Sequence, residues 1–188
     1  MTTVLSLNVR GLNAAVKCQA LLIQLRDAQA DLCLLQETHL VRADWKGLRS
    51  RWFDRQSHTS GPGRGAGVAT LLATSFLGRV PVLQAEIPGR LLFLHIDLRG
   101  HRLTIANIYG PNEQQESFLR DTLGRIMATP DEDIVLGGDF IIVPDTLLDR
   151  SDQRYDQTGA FSRDFRDWVN EARLTDIWRR QYTTERAY

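Results

Sequence analysis

Ile134-Val135-Leu136-Gly137-Gly138-Asp139-Phe140 is an apolar run that stops on two glycines and presents one carboxylate. A buried strand closing on Gly-Gly turns tightly and holds the next side chain at the edge of a sheet. A carboxylate fixed there can bind a metal ion or take a proton from water. Standing alone it would serve equally well to cap a turn. It does not stand alone. Asn8 ends the strand pattern Val4 to Leu7, Glu37 follows Leu32-Cys33-Leu34-Leu35-Gln36, and Tyr109 ends Leu103 to Ile108. Four apolar strands each deliver one polar residue at their end. That repetition predicts that Asn8, Glu37, Tyr109 and Asp139 converge in one open cleft at the edge of two stacked sheets.

The flanking pattern sets the fold class. Val4 to Val9 reads as a strand, Ala14 to Ala28 carries a helical period through Val16, Ala20, Leu21, Ile23 and Leu25, and Asp31 precedes the apolar strand to Gln36. This strand-helix-strand unit predicts two parallel strands. Arg51 to His58 is a weaker strand, and Ser60 to Gly67 is a glycine-rich turn into Val68 to Leu72. Val80 to Ile87, Leu91 to Leu98 and Arg102 to Tyr109 are joined by Pro88-Gly89 and Gly100-His101, so they pair as antiparallel hairpins. A helix spans about Gln114 to Met127. After the strand bearing Asp139 come an irregular stretch to about Thr158 and a last helix from about Ser162 to Ala172. Parallel units mixed with hairpins predict an α/β protein of two stacked mixed sheets with helices outside.

Basic and acidic residues balance at 23 each, so the overall field argues neither for nucleic acid nor for a membrane surface, although one face can still be basic. No segment approaches the roughly 18 apolar residues of a membrane span, and the early first strand leaves no visible secretory signal. Cys18 and Cys33 lack metal-ligand spacing and read as buried, reduced thiols, which suits a nuclear or cytoplasmic location. His39, His58, His95 and His101 are scattered without ligand spacing, and only His39 stands near a candidate site residue. The glycine-rich turn lacks the Gly-Lys-Ser/Thr ending of a nucleotide loop and opens a strand, so it reads as a hairpin loop. Asn8, Glu37, Tyr109 and Asp139 are mostly hard oxygen donors, suited to magnesium more than zinc. A site of that kind favours hydrolysis of a phosphate ester, with an aspartate activating the water.

The order of motifs adds a family. Ser6-Leu7-Asn8-Val9-Arg10-Gly11-Leu12, Gln36-Glu37-Thr38-His39-Leu40, Asn107-Ile108-Tyr109-Gly110-Pro111-Asn112 and Gly137-Gly138-Asp139-Phe140 together resemble the endonuclease/exonuclease/phosphatase superfamily. The chain looks most like the apurinic-like endonuclease domain of non-LTR (LINE-type) retrotransposons. Leu148-Asp149-Arg150 and Leu174-Thr175-Asp176-Ile177-Trp178-Arg179 resemble later signatures of those domains. The resemblance covers essentially all 188 residues as one domain. It implies a four-layer α/β sandwich that lacks its last strands, and a DNA endonuclease that uses Mg2+ or Mn2+. Glu37, assisted by Asn8, would hold the metal. Tyr109 would contact the scissile phosphate, Asp139 would orient or deprotonate the attacking water, and Arg10 and Asn107 would bind phosphate. DNA would be the partner, with no membrane, and a reverse transcriptase would lie in the same polyprotein of full-length relatives. Asp149, Arg150, Asp176 and Arg179 are better explained by local ion pairs and a helix-to-strand joint.

Two departures qualify that expectation. The family places asparagine two residues after the aspartate, where this chain has Ile141, and isoleucine can neither donate to a phosphate nor bind a metal. The family also ends in a serine-aspartate-histidine signature that these residues do not contain. Impaired hydrolysis is therefore expected, together with an unpaired sheet edge that a second chain could complete. The alternatives are a phosphatase or lipid phosphodiesterase of the same superfamily, and a catalytically dead nucleic-acid-binding or scaffold domain.

Overall fold

The computed structural model describes residues 2–41, 44–62, 65–128, 133–142 and 159–185. It divides into two compact units, Met1–Tyr109 with Asp131–Asp139, and Gly110–Pro130 with Phe140–Tyr188.

Among the described residues the first unit holds eight strands in two four-stranded sheets. In one, β1 (Val4–Asn8) runs parallel to β2 (Leu32–Gln36), which pairs antiparallel with β4 (Gly67–Ala73), and β3 (Phe53–Ser60) closes that side. In the other, β5 (Arg79–Ile87), β6 (Leu91–Leu98) and β7 (His101–Tyr109) form an antiparallel meander. β8 (Asp133–Asp139) then adds parallel to β7. Both sheets are mixed, and they lie face to face, as the strand patterns predicted. Among the described residues β1 and β8 each pair on one side only, and they leave Val4 and Val135 partly exposed.

Burial on both faces explains why β2 is apolar up to Gln36: all five of its residues are buried. Leu34 points between the sheets and reaches toward Gly137 of β8. Cys33 and Leu35 point the other way, into the cluster that receives Cys18, Leu21, Leu22 and Leu25 of α1 (Ala15–Asp27). That stripe follows helical spacing, but it is not the one expected. Val16 is 78% exposed and Ile23 44% exposed, while Cys18 replaces Val16 on the buried face and donates its S–H to the Leu12 carbonyl. Both cysteines are buried and free.

In the second unit α2 (Gln115–Met127) buries Leu119, Thr122, Leu123 and Ile126, and it meets α3 (Gly159–Glu171). The Arg120 guanidinium lies 5.0 Å over the Trp168 ring, and Phe140 stacks obliquely on Phe165 at 6.1 Å. α4 (Ile177–Gln181) was not foreseen: where a helix-to-strand joint was expected, Asp176 caps a new helix by accepting from the Arg179 N–H at 2.9 Å. Arg179 in turn donates to the carbonyls of Tyr182 and Glu185. The short 3₁₀ turn Asp44–Leu48 was also missed. Leu148-Asp149-Arg150 lies outside the described residues.

Candidate active site

Sheet register brings the four strand-end residues together. Asn8 pairs with Gln36 across β1 and β2, which puts it beside Glu37, and Tyr109 pairs with Asp139 across β7 and β8. Two hydrogen bonds then cross from sheet to sheet. Asn8 Nδ2 donates to Asp139 Oδ2 at 2.7 Å, and Tyr109 Oη donates to Glu37 Oε1 at 2.8 Å. The expected quartet is therefore brought together as two hydrogen-bonded pairs at the ends of four strands, with Asn8 beside Glu37 and Tyr109 beside Asp139 by register.

Local geometry explains the motif residues around them. Gly138 has φ +154° and lies so close to β7 that an added Cβ would collide with the Ile108 carbonyl oxygen. Only glycine allows β8 to run that near, and this approach delivers Asp139 opposite Tyr109. Beyond β1 and β2 the chains stay paired: Val9, Gly11 and Leu12 donate to the carbonyls of Gln36, Glu37 and Thr38. Arg10, Glu37 and His39 all adopt left-handed backbone, with φ of +46°, +55° and +55°. Such conformations cost of order 1–3 kcal/mol for non-glycine residues and persist where surrounding contacts enforce them. They turn Glu37 inward to Tyr109.

Arg10 is exposed; its N–H donates to Asn8 Oδ1 at 3.0 Å and its carbonyl accepts from Lys17 Nζ. Its backbone thereby orients the Asn8 carboxamide. Asn107 corrects the expectation. It is fully buried, its Nδ2 donates to the Ala69 and Leu35 carbonyls, and its Oδ1 accepts from Gln36 Nε2 at 2.8 Å. A carboxamide so enclosed does not reach a phosphate; it ties the two sheets together one layer below the site. Gln36, next to Glu37, shares that strut, its Nε2 donating also to Ser6 Oγ and the Leu34 carbonyl. An amide in an otherwise apolar strand was the available signal, since a buried amide requires partners.

Burial pushes the Tyr109 phenol above its ordinary value; Glu37 adds to the rise through its hydrogen bond and its charge, and the Arg90 guanidinium opposes it. Tyr109 is thus a neutral donor at physiological pH. Among the described residues no three His, Cys, Asp or Glu side chains cluster as a ready metal cage. The available donors, the Glu37 and Asp139 carboxylates and the Asn8 carboxamide, are all hard oxygens. That set fits a magnesium-type ion, which takes one or two carboxylates and keeps several waters.

The comparisons with known proteins agree with this architecture. A model of the Endonuclease/Exonuclease/phosphatase family matches residues 5–184, and the chain belongs to that family of metal-dependent phosphodiesterases. Its fold is shared by an AP endonuclease from Archaeoglobus fulgidus (TM-score 0.73, 18% identity, 100% of this chain and 77% of that one). It is shared also by the AP endonuclease LMAP from Leishmania major (TM-score 0.72, 19% identity, 98% and 70%). TDP2 from D. rerio, solved with a single-strand DNA product, matches at a TM-score of 0.65 with 19% identity over 98% and 71%. In the described residues no helix is long and apolar enough to cross a membrane.

Proposed function

We propose that this chain is a metal-dependent phosphodiester hydrolase acting on DNA, an endonuclease of the non-LTR retrotransposon type, with slow turnover. The observation that carries the reading is the pair of inter-sheet bonds, Asn8 to Asp139 and Tyr109 to Glu37. They gather a carboxylate pair, a carboxamide and a neutral phenol at one sheet edge. Glu37 with Asn8 would hold Mg2+ or Mn2+. When bound, such an ion polarises a phosphoryl oxygen and offsets developing negative charge. Asp139 then orients the attacking water and accepts its proton, with Asn8 fixing one carboxylate oxygen so that the other faces the water. Tyr109 holds Glu37 through its phenol hydroxyl in the free site and would turn that single donor to the phosphate once Glu37 is taken up by the metal, and Arg10, exposed at the loop after β1, adds a fixed fork of donors for phosphate oxygens.

The retrotransposon assignment rests on the Leu148-Asp149-Arg150 and Leu174 to Arg179 signatures, and it places a reverse transcriptase in the same polyprotein of full-length relatives. Slow turnover follows from Ile141 standing where the family carries asparagine, since losing one preorganised donor costs about 100- to 1,000-fold. The absence of a Ser-Asp-His sequence in these residues acts in the same direction, and a second chain paired on the β1 or β8 edge could complete the site. Buried, reduced cysteines suit a nuclear or cytoplasmic setting. Ile141 also favours a second reading, a binding domain of the same fold without hydrolysis.

A plasmid-nicking assay in magnesium tests the proposal with the wild-type chain, Asp139→Ala and Ile141→Asn. Slow nicking that Asp139→Ala abolishes supports it. DNA binding without nicking in every protein supports the binding domain instead. Hydrolysis of a phosphomonoester or phospholipid in preference to DNA moves the assignment to a phosphatase or lipid phosphodiesterase.

A further inference from the structure

Tyr109 reaches Glu37 from a ring held on two sides. One side packs with Ala66, Val68 and Leu92 in a small buried cluster. Over the ring lies the guanidinium of Arg90, 4.3 Å from its centroid. Arg90 comes from the turn between β5 and β6, and register extends one step beyond the pair Leu91 and Ile108 to set Arg90 opposite Tyr109. Backbone and side chain both tie the two residues: the Tyr109 N–H donates to the Arg90 carbonyl at 2.8 Å, and the Arg90 guanidinium donates from Nη1 to the Tyr109 carbonyl at 3.5 Å.

The turn itself is clamped. Arg90 N–H donates to the Ile87 carbonyl at 3.0 Å, and Gly89 N–H donates to Thr59 Oγ1 at 3.3 Å. Gly89 has φ +71°, and a Cβ there would collide with the backbone of Gly61. The β5–β6 turn of one sheet is therefore seated on the start of the glycine-rich loop of the other. A guanidinium placed over a phenol ring from such a seat is attracted by the negative face of the ring, and it fixes a ring that otherwise pivots about two side-chain bonds.

We infer that Arg90 is a positioning residue: by stacking on Tyr109 from a turn anchored to the opposite sheet, it holds the phenol hydroxyl on Glu37 and so shapes the site. The inference rests on the proposed metal-dependent reading for its consequence, and on the stacking geometry alone for its mechanism. A 19F NMR signature separates the two. The chain has four tyrosines, so 3-fluorotyrosine labelling gives few signals, and Tyr109→Phe assigns the relevant one. Arg90→Gln should shift or broaden the Tyr109 signal and weaken Mn2+ binding about tenfold, and Arg90→Lys should recover part of both. In a Tyr109→Phe background, which has no hydroxyl to position, Arg90→Gln should leave Mn2+ affinity unchanged.

An unmoved Tyr109 signal in Arg90→Gln overturns the inference. So does a loss of Mn2+ affinity as large with Phe at 109 as with Tyr, which would mark a general structural role. If Glu37→Gln leaves Mn2+ binding intact, the metal reading fails, while the fluorine signal still decides whether Arg90 positions Tyr109.

Discussion

Asn8 and Asp139 lie 131 residues apart in sequence and meet across the two sheets, the Asn8 carboxamide donating to Asp139 Oδ2 at 2.7 Å. The bond also separates two variants. Asn8→Ala removes one donor from a partly exposed carboxylate, a loss of about 1 kcal/mol. Asn8→Asp puts a second carboxylate against Asp139, and like charges at such separation disfavour the doubly ionised form. Without divalent ion at pH 7, thermal melts should show Asn8→Asp as the less stable variant. Millimolar Mg2+ should raise its melting temperature more than that of Asn8→Ala. Equal response of both to Mg2+ would mean that the ion does not sit between these groups.

Asn107 gives a sharper stability test, because all its polar atoms are enclosed. Asn107→Ala leaves the Gln36 amide and the Ala69 carbonyl without their partner and should cost about 2–4 kcal/mol. Asn107→Asp keeps the shape but turns an oxygen toward the Ala69 and Leu35 carbonyls, where the wild type presents an N–H. A carboxyl there is stable only when protonated. Asn107→Asp should therefore be the worse variant at pH 7 and recover relative to Asn107→Ala toward pH 4, as read by urea denaturation. A parallel pH dependence of the two would contradict the enclosed geometry.

Much of this architecture was legible in the sequence. Strand ends were marked by the change from apolar run to polar residue, and the short joints at Pro88-Gly89 and Gly100-His101 forced the antiparallel meander that the structure shows. The convergence of Asn8, Glu37, Tyr109 and Asp139 was readable because each sits at the same relative place on its strand. What could not be read was direction within the interior. Asn107 lies two residues before Tyr109 and shares its side of β7, yet it points between the sheets one layer deeper, and only the facing sheet reveals that its amide is enclosed. The buried face of α1 was misjudged for a similar reason. Val16 and Ile23 are apolar, but the stripe is decided by where the helix rests, and Cys18 occupies it. Arg90, next to the Pro88-Gly89 joint, carries no sequence signal of a role, and only the register of β6 and β7 sets it opposite Tyr109.

Alkaline pH should weaken the fold through Cys33. Its thiol is fully buried in β2, and burial, with a smaller contribution from Asp31, pushes it from 9.0 up to about 12. In the unfolded chain the thiol loses its proton near pH 9, whereas the folded chain keeps it until about pH 12. Between those values the unfolded state binds fewer protons, so stability falls as pH rises, by up to about 1.4 kcal/mol per pH unit. The contribution is fully present below pH 9. Cys33→Ala should lower stability at pH 7 through the small cavity it leaves, yet flatten the decline between pH 9 and 10, before the buried Tyr109 phenol adds its own loss. Denaturant titrations at three pH values measure the slope; an unchanged slope in Cys33→Ala would place the alkaline sensitivity elsewhere.

The last prediction concerns Ile141, whose φ of +55° places a β-branched residue in left-handed backbone. That conformation is a genuine outlier for isoleucine, whereas asparagine adopts it several-fold more readily and glycine without steric cost. The side chain is 36% exposed, so replacing it removes limited apolar burial. Ile141→Asn and Ile141→Gly should therefore both hold or raise stability, by up to about 1 kcal/mol, which is unusual for truncating an isoleucine. Their effects on chemistry should differ. Asparagine supplies a side-chain donor two residues after Asp139 and glycine supplies none, so only Ile141→Asn should increase DNA nicking in magnesium. Melting curves and nicking rates on the same three proteins separate strain from catalysis. A gain in stability without a gain in nicking for Ile141→Asn would locate the remaining deficit in other missing groups. A marked loss of stability in both variants would show that the isoleucine side chain supports the fold despite its backbone.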